Sequence, residues 1–289
     1  MINKSSTAVI ILNYFGSEAT FACVNSVKRS LEANIYLVDN SADLKEKEKL
    51  QDKYREDKGV ILLSPPENLG FAAGVNLGLR EALSDGFSRF LVLNNDAVLL
   101  DGAGPVLTDA FARHPGSLIA PAIAWGGEVC RGRYYHKYLG LITERPWWQG
   151  KGFLFYLTGC ALAFDRDLLE KVGYFDESFF MYGEDLEYCF RAARENVPII
   201  LAKEVIVEHA GSAATRKGSF FYEYNMARAH WRLSFCLSDG FWDVFRALLG
   251  KSLVLSARAL FRAIKYRSIS PLAAFGLAPF PLPVRPRKK

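Results

Sequence analysis

Short β-branched runs alternating with helical stretches constrain this chain more than any other feature. Residues 7–12 (TAVIIL) read as a buried strand, and Gly16-Ser17-Glu18 opens a helical pattern through about Leu31. Residues 35–38 form a second strand ending at Asp39-Asn40-Ser41, and a charged helix follows from Leu44 to about Lys58. A third strand, 60–63, precedes the Pro65-Pro66 break, and residues 68–83 read as loop then helix. The fourth strand, 90–93, ends at Asn94-Asn95-Asp96. Each gap between strands is long enough for a crossover helix, which predicts an α/β fold with a mostly parallel, doubly wound sheet. Ligands of such sheets gather beyond the carboxyl ends of the strands. Polar residues stand there after strands one, two and four, namely Asn13, Asp39-Asn40 and Asn94-Asn95-Asp96, so three strand ends converge on one crevice.

The second half is less regular. Residues 125–152, rich in Gly, aromatic and basic side chains, read as a long loop or excursion. Residues 153–164 are strand-like with a break at Thr158-Gly159-Cys160, and Asp165 is placed to cap a short helix. Gly183 opens a helix over 184–195, and residues 198–207 form a strand ending at Glu208-His209. Beyond Gly218 the pattern is helical to about Arg267 and then turns Pro-rich and basic. This predicts a catalytic domain over 1–215 and a helical C-terminal extension over 216–289.

Charge divides the chain in the same place. Residues 211–289 carry 14 Lys and Arg against 3 Asp and Glu, a net of +11; residues 1–210 carry 22 against 28, a net of −6. A basic tail interleaved with Phe245, Leu249, Leu253, Leu260 and Ile264 suits an anionic membrane surface, or a helix packed on the domain with only its charges exposed. The acidic body carries no nucleic-acid-binding motif. Five scattered cysteines without a C-x-x-C pair predict reduced thiols, and the apolar run at 8–12 is too short for a signal sequence or a membrane span. The expectation is a cytoplasmic protein, peripheral on the inner face of the cell membrane.

The turn after the first strand, Asn13-Tyr14-Phe15-Gly16, is neither a G-x-G-x-x-G fingerprint nor a phosphate loop with its lysine, which argues against dinucleotide and P-loop chemistry. Gly70, Gly74 and Gly78 recur every four residues and lay a side-chain-free stripe along a helix. Such a stripe permits close approach of a ligand or a strand; Gly78 alone favours packing on the sheet, while the whole segment, with Asn68 and Asn76 beside it, favours ligand contact. Asp96, closing a strand, is the best candidate for a hard oxygen ligand to a divalent cation.

The series Asn68-x-Gly70-Phe71-Ala72-x-Gly74-x-Asn76-x-Gly78 resembles a signature of family 2 glycosyltransferases, especially the rhamnosyltransferase-like branch. Asn13-Tyr14, Asp39-Asn40-Ser41, Asn94-Asn95-Asp96, Thr158-Gly159-Cys160, Gly173-x-Phe175-Asp176-Glu177 and Gly183-Glu184-Asp185-Leu186-Glu187 follow in family order, colinear over roughly residues 7–215. The resemblance implies a GT-A-like fold and inverting transfer of a hexose from a nucleotide sugar to a glycan or lipid-linked glycan. It implies that Asp39 binds the base and that Asn13, Tyr14, Asn68, Gly74, Asn76, Asn94 and Asn95 shape the donor site. Asp96 and His209 would contact Mg²⁺ or Mn²⁺, with Asn94 replacing the first aspartate of the usual D-x-D motif. Asp185 would be the general base. Glu184, Trp147 and Trp148 are acceptor-side candidates, the tryptophans with Tyr134, Tyr135 and Tyr138 either stacking on sugar rings or closing a small core. Arg131, Arg133, Lys137 and Arg145 would then face an acceptor diphosphate. The implied donor is dTDP-L-rhamnose and the implied process surface polysaccharide synthesis. A UDP-hexose or UDP-N-acetylhexosamine transferase is the nearest alternative, and a non-catalytic sugar-nucleotide-binding partner the alternative from another class.

Overall fold

The β-branched run that opens the chain becomes β1 (Thr7–Asn13) in the computed structural model, which describes residues 7–146, 152–209 and 217–282. The alternation continues through α1 (Ser17–Ser30), β2 (Ala33–Asp39), α2 (Leu44–Tyr54), β3 (Val60–Leu63), α3 (Gly70–Ser84) and β4 (Arg89–Asn94). Then follow β5 (Ala97–Leu99), α4 (Ala103–Arg113), β6 (Leu118–Trp125), β7 (Glu128–Cys130), β8 (Arg133–His136), β9 (Leu141–Thr143) and β10 (Phe153–Tyr156). The remainder comprises β11 (Ala161–Asp165), α5 (Arg166–Val172), α6 (Glu184–Arg194), β12 (Ile199–His209), α7 (Phe220–Cys236), α8 (Phe241–Tyr266) and α9 (Ser270–Leu277). Asp43 caps α2 by accepting from the Lys45 and Glu46 amides, and Asp165 caps α5 through the Leu168 amide, as its position in the sequence predicts.

The chain forms two compact units interleaved along the sequence. The first is Met1–Arg131, Leu157–Phe180 and Arg191–Ala214; the second is Gly132–Tyr156, Met181–Phe190 and Thr215–Lys289. In the first unit nine strands make one sheet in the order β3-β2-β1-β4-β11-β6-β12-β5, with β7 paired to β6. β3, β2, β1 and β4 are parallel, the doubly wound half expected from the alternation. β11 runs antiparallel to both β4 and β6, and β5 antiparallel to β12, so the other half is mixed. One face of the sheet packs on α1, α2 and α4 around Val9, Ile11, Val24, Leu91 and Leu107, all essentially inaccessible to water. Burying a side chain of this size contributes about 1.5–3 kcal/mol.

The second unit holds a three-stranded antiparallel sheet, β10-β8-β9, and the helices α7, α8 and α9. Residues 125–152 therefore contain three short strands where the composition predicts only a loop. At three or four residues each they are too short to leave a readable alternation, and in β8 the adjacent Tyr134 and Tyr135 point to opposite faces. Tyr135, on β8, is buried, and its hydroxyl lies 2.9 Å from His230 Nδ1 on α7. Lys251 of α8 is fully buried, donates to the His230 carbonyl at 3.1 Å, and stands 5.4 Å from the Tyr135 ring centre. Tyr138 and Lys137 are bound to Asp243 at the start of α8, each at 2.6 Å. Tyr135 and Tyr138 thus close a local core, and Lys137 is committed to an ion pair instead of facing an acceptor diphosphate.

Burial lowers the Lys251 ammonium from 10.5 to about 7. Between those values the unfolded chain holds a proton that the native chain lacks, so stability should rise with pH from about 7 upward and be flat in this respect below 7. His230 is lowered to about 3, also by burial, and its window closes below this one. Urea midpoints measured from about pH 7 to 9.5 should climb in the native protein, and Lys251→Met should flatten the slope.

Candidate active site

Strand register brings the first group of polar residues together. Asn13 stands opposite Asp39, and Leu12 opposite Asn94, at the carboxyl ends of β1, β2 and β4. Asn13 is wholly buried. Its amide nitrogen donates to Asp39 Oδ1 at 3.2 Å and Glu46 Oε1 at 3.3 Å, and its oxygen accepts from the Thr20 hydroxyl at 2.7 Å. Thr20 in turn accepts from the Asn95 amide at 3.0 Å, and Glu46 from the Gly16 amide at 3.0 Å. Asp39 Oδ1 also accepts from Ser41 N, while Oδ2 has no protein partner among the described residues. Thr20 and Glu46 are absent from the residues the sequence singles out. Glu46 stands three places after the Asp43 cap, a spacing that predicts a capping box, yet its carboxylate turns to Asn13 and Gly16. Phe15 and Ala42, just past β1 and β2, both have φ near +50° (46° and 51°), backbone strain at the rim of this site.

A second group fixes the loop before α3. Asn40 donates to Asn68 Oδ1 and to the Gly70 carbonyl, both at 2.9 Å, and accepts from Leu69 N at 2.8 Å. Asn68 Oδ1 also receives the Gly70 amide at 2.9 Å. Gly70 has φ +82°, and a Cβ there would overlap the Phe180 carbonyl oxygen, so the position demands glycine. Gly74 and Gly78 face β1: added Cβ atoms would stand 2.5 Å from Leu12 Cδ1 and 2.7 Å from Ile10 Cγ2. The glycine stripe thus accommodates a strand. Asn76 also turns away from the strand ends. Fully buried, it donates to the Phe175 carbonyl and to Glu177, both at 2.9 Å, and accepts from Phe175 N at 3.1 Å. Gly74 thus makes close approach to a strand, and Asn76 anchors the loop that carries Phe175 and Glu177.

The candidate metal ligands do meet. β12 pairs with β5 so that His209 lies opposite Ala97, which sets His209 Nε2 3.0 Å from Asp96 Oδ1. Both side chains are largely buried, and Trp125 packs edge-on against the imidazole. Among the described residues no third His, Cys, Asp or Glu joins them in a metal-sized cluster. One carboxylate and one imidazole fit a divalent cation that takes its other ligands from phosphate oxygens and water. Asn94 is tied by its backbone, with N donating to the Cys160 carbonyl at 2.9 Å and O accepting from Cys23 Sγ.

The second unit carries Glu184 and Asp185 at the first turn of α6. Tyr182 and Gly183 immediately before them both have positive φ, 69° and 90°, and the Tyr182 ring packs edge-on against Tyr222. Two left-handed residues in succession aim the helix start, a strained arrangement for tyrosine. Glu184 is buried, and its Oε2 has no hydrogen-bond partner among the described residues. Burial first, and the Asp185 charge second, push its pKa well above the carboxylate range. Asp185 is half-buried and accepts from the Leu186 amide at 2.8 Å. Trp147 and Trp148 lie outside the described residues.

The sequence profile described as Glycosyl transferase family 2 matches residues 8–173. The chain is 28% identical over 207 residues to the low-salt glycan biosynthesis hexosyltransferase Agl10 of Haloferax volcanii, a match covering 66% of this chain and 63% of that protein. It is 26% identical over 227 residues to the uncharacterized protein Rv1525 of Mycobacterium tuberculosis, covering 76% and 81%. Among solved structures, GalNAc-T7 with UDP, GalNAc and Mn²⁺ superposes with a TM-score of 0.62 at 14% identity, over 96% of this chain and 57% of that one. The mannosyltransferase PcManGT from Pyrobaculum calidifontis, in complex with GDP-Man and Mn²⁺, superposes at 0.55 and 14% identity, over 94% and 85%. The chain therefore spans less than two thirds of Agl10 and of GalNAc-T7, and at such identities the structural likeness is one of fold, the GT-A fold.

Asn76→Ala should separate anchoring from ligand contact. Stripping three buried hydrogen bonds should lower stability by about 1–3 kcal/mol, read as a fall in denaturation midpoint. Calorimetric affinity of the remaining folded protein for a nucleotide sugar should stay within about two-fold of the native value, whereas a direct donor contact would weaken it by about ten-fold or more.

Proposed function

The chain belongs to glycosyl transferase family 2, and on that premise we propose that it moves a hexose from a nucleotide sugar to a hydroxyl of a glycan or lipid-linked glycan, with inversion at the anomeric carbon. The observation that carries this is the convergence of Asp39, Asn95 and the Asp96–His209 pair at one edge of the sheet. Asp39 Oδ2 is available to accept the ring N–H of a pyrimidine base. Asp96 and His209 would hold Mg²⁺ or Mn²⁺, which when bound supplies positive charge to the departing diphosphate. Asp185 takes the proton of the acceptor hydroxyl as its oxygen bonds to the anomeric carbon and the bond to the β-phosphate oxygen breaks. Glu184, whose pKa is raised by its burial and by the Asp185 charge, does not compete for that proton.

The donor we favour is dTDP-L-rhamnose, on the likeness around residues 68–78 and the asparagine at position 94. The ring N–H that Asp39 would accept is common to thymine and uracil, so UDP-hexoses and UDP-N-acetylhexosamines are the competing donors. The product would enter a bacterial surface polysaccharide such as O-antigen. The net of +11 after residue 210 favours peripheral attachment to the anionic inner leaflet, where a lipid-linked acceptor resides.

Two experiments test this. Asp185→Asn should fold and bind donor but lose transfer by about 10²- to 10⁴-fold, the span for a removed general base; near-native transfer would assign the base elsewhere. In a donor panel scored by release of nucleoside diphosphate, turnover should be fastest with dTDP-L-rhamnose, stop after chelation, and return with Mg²⁺ or Mn²⁺. Asp96→Ala should weaken donor binding only when the cation is present, and tight binding restricted to a UDP-sugar would replace the rhamnose assignment.

A further inference from the structure

Helix α8 is apolar on two opposite faces. Ala247, Lys251, Leu255 and Ala259 form its buried side. Trp242, Leu249, Leu253, Leu260 and Ile264 recur at spacings of seven and four, which confines them to an arc of about 60° on the other side. They stand 54–70% exposed. A helix of 26 residues is about 39 Å long, and contiguous exposed apolar surface of this kind marks an interaction site more often than bare surface. Ile269, Leu277 and Phe280, in and beside α9, are also exposed. Among the described residues no helix is long and apolar enough to cross a membrane.

We propose that α8 lies in the plane of an anionic bilayer interface, with the stripe from Trp242 to Ile264 inserted among the acyl chains. This rests on the membrane attachment proposed above and deepens it: apolar insertion by a defined face, and not charge alone, holds the protein there. Charge selects the occupant. Arg246 borders the stripe, Lys265 and Arg267 stand at its end, and none has a carboxylate partner among the described residues. The one acidic residue of α8, Asp243, is committed to Lys137 and Tyr138. A second copy of the chain would bring the same unbalanced cations to the same face, whereas an anionic leaflet neutralises them and offers the apolar interior beneath. The aromatic residues Phe241, Trp242 and Phe245 gather at one end of the helix, where a side chain of mixed character suits the headgroup boundary.

The test is co-sedimentation of the full chain with vesicles of phosphatidylcholine containing phosphatidylglycerol, without donor or acceptor, so that its outcome is independent of sugar transfer. Native protein should bind these vesicles and not pure phosphatidylcholine, and should retain part of its binding at about 0.5 M salt, where charge is screened beyond about 4 Å. Replacing Leu253 and Leu260 by Ser should weaken binding at least about ten-fold. Both side chains are exposed, so the thermal midpoint should not move. Trp242 gives a second measure on otherwise unaltered helices. The emission lost in Trp242→Phe should shift to the blue on addition of vesicles and be quenched by brominated acyl chains. Binding abolished by salt and indifferent to the serine substitutions would overturn insertion, as would an unshifted Trp242 signal. A dimer in light scattering that the serine substitutions dissolve, with no vesicle binding, would assign the stripe to a second copy instead.

Discussion

Asn13 places a primary amide at the end of a central strand with no access to water, and its hydrogen-bonding groups must be met by protein. Leaving such an amide unpaired costs about 1–3 kcal/mol for each group, a large share of the net stability of a domain. The partners that meet it come from four places: Asp39 at the end of β2, Glu46 on α2, Thr20 on α1, and, through Thr20, Asn95 beyond β4. Satisfying one buried side chain therefore orients the carboxylate of Asp39 and pins the turn that carries Asp96. The sheet supplies the level at which these groups stand, because parallel pairing sets Asn13 beside Asp39 and Leu12 beside Asn94. A shift of one residue would send every side chain to the opposite face and dissolve the arrangement.

The same logic of burial separates the two adjacent carboxyl groups at the start of α6. Glu184 and Asp185 are neighbours in sequence, yet one is inaccessible with an unmet oxygen and the other is half-buried with a backbone partner. In such a pair the buried member holds its proton and the exposed member is spared a second negative charge beside it. Tyr182 and Gly183 direct both by strained backbone, a conformation that persists only where its surroundings enforce it.

Much of this is legible in the sequence. Strands one to four, the cap at Asp165 and the strand-end polar residues follow from local pattern, because periodicity and capping are properties of neighbours. Contacts that depend on distant pairing are not so readable. Glu46 looks like a capping-box residue because its actual partner, Asn13 at the end of β1, is 33 positions away in the chain. Gly74 and Gly78 are compatible with ligand or strand until Leu12 and Ile10 are seen against them. Asn76 reads as a ligand residue because nothing local reveals that Phe175 and Glu177 return to it. The strands within residues 125–143 escape because each is shorter than two periods of alternation. α8 is recognisable as amphipathic, but the opposition of its two apolar faces emerges only when one of them is found buried.

The interleaving of the two units bears on how the chain is made. Gly132–Tyr156 leaves the ribosome early, yet it belongs with helices encoded after residue 215. Tyr135 cannot reach its final hydrogen bond until His230 has been synthesised, nor its cationic neighbour until Lys251 has followed. About a third of the polypeptide therefore emerges while this aromatic segment waits for its core. During that interval the nascent chain exposes a short β-rich stretch of Tyr and Phe, the kind of sequence that associates with itself or recruits a chaperone. A premature stop before α7 would leave that segment permanently without its helical partners, and the resulting product would be a substrate for proteolysis.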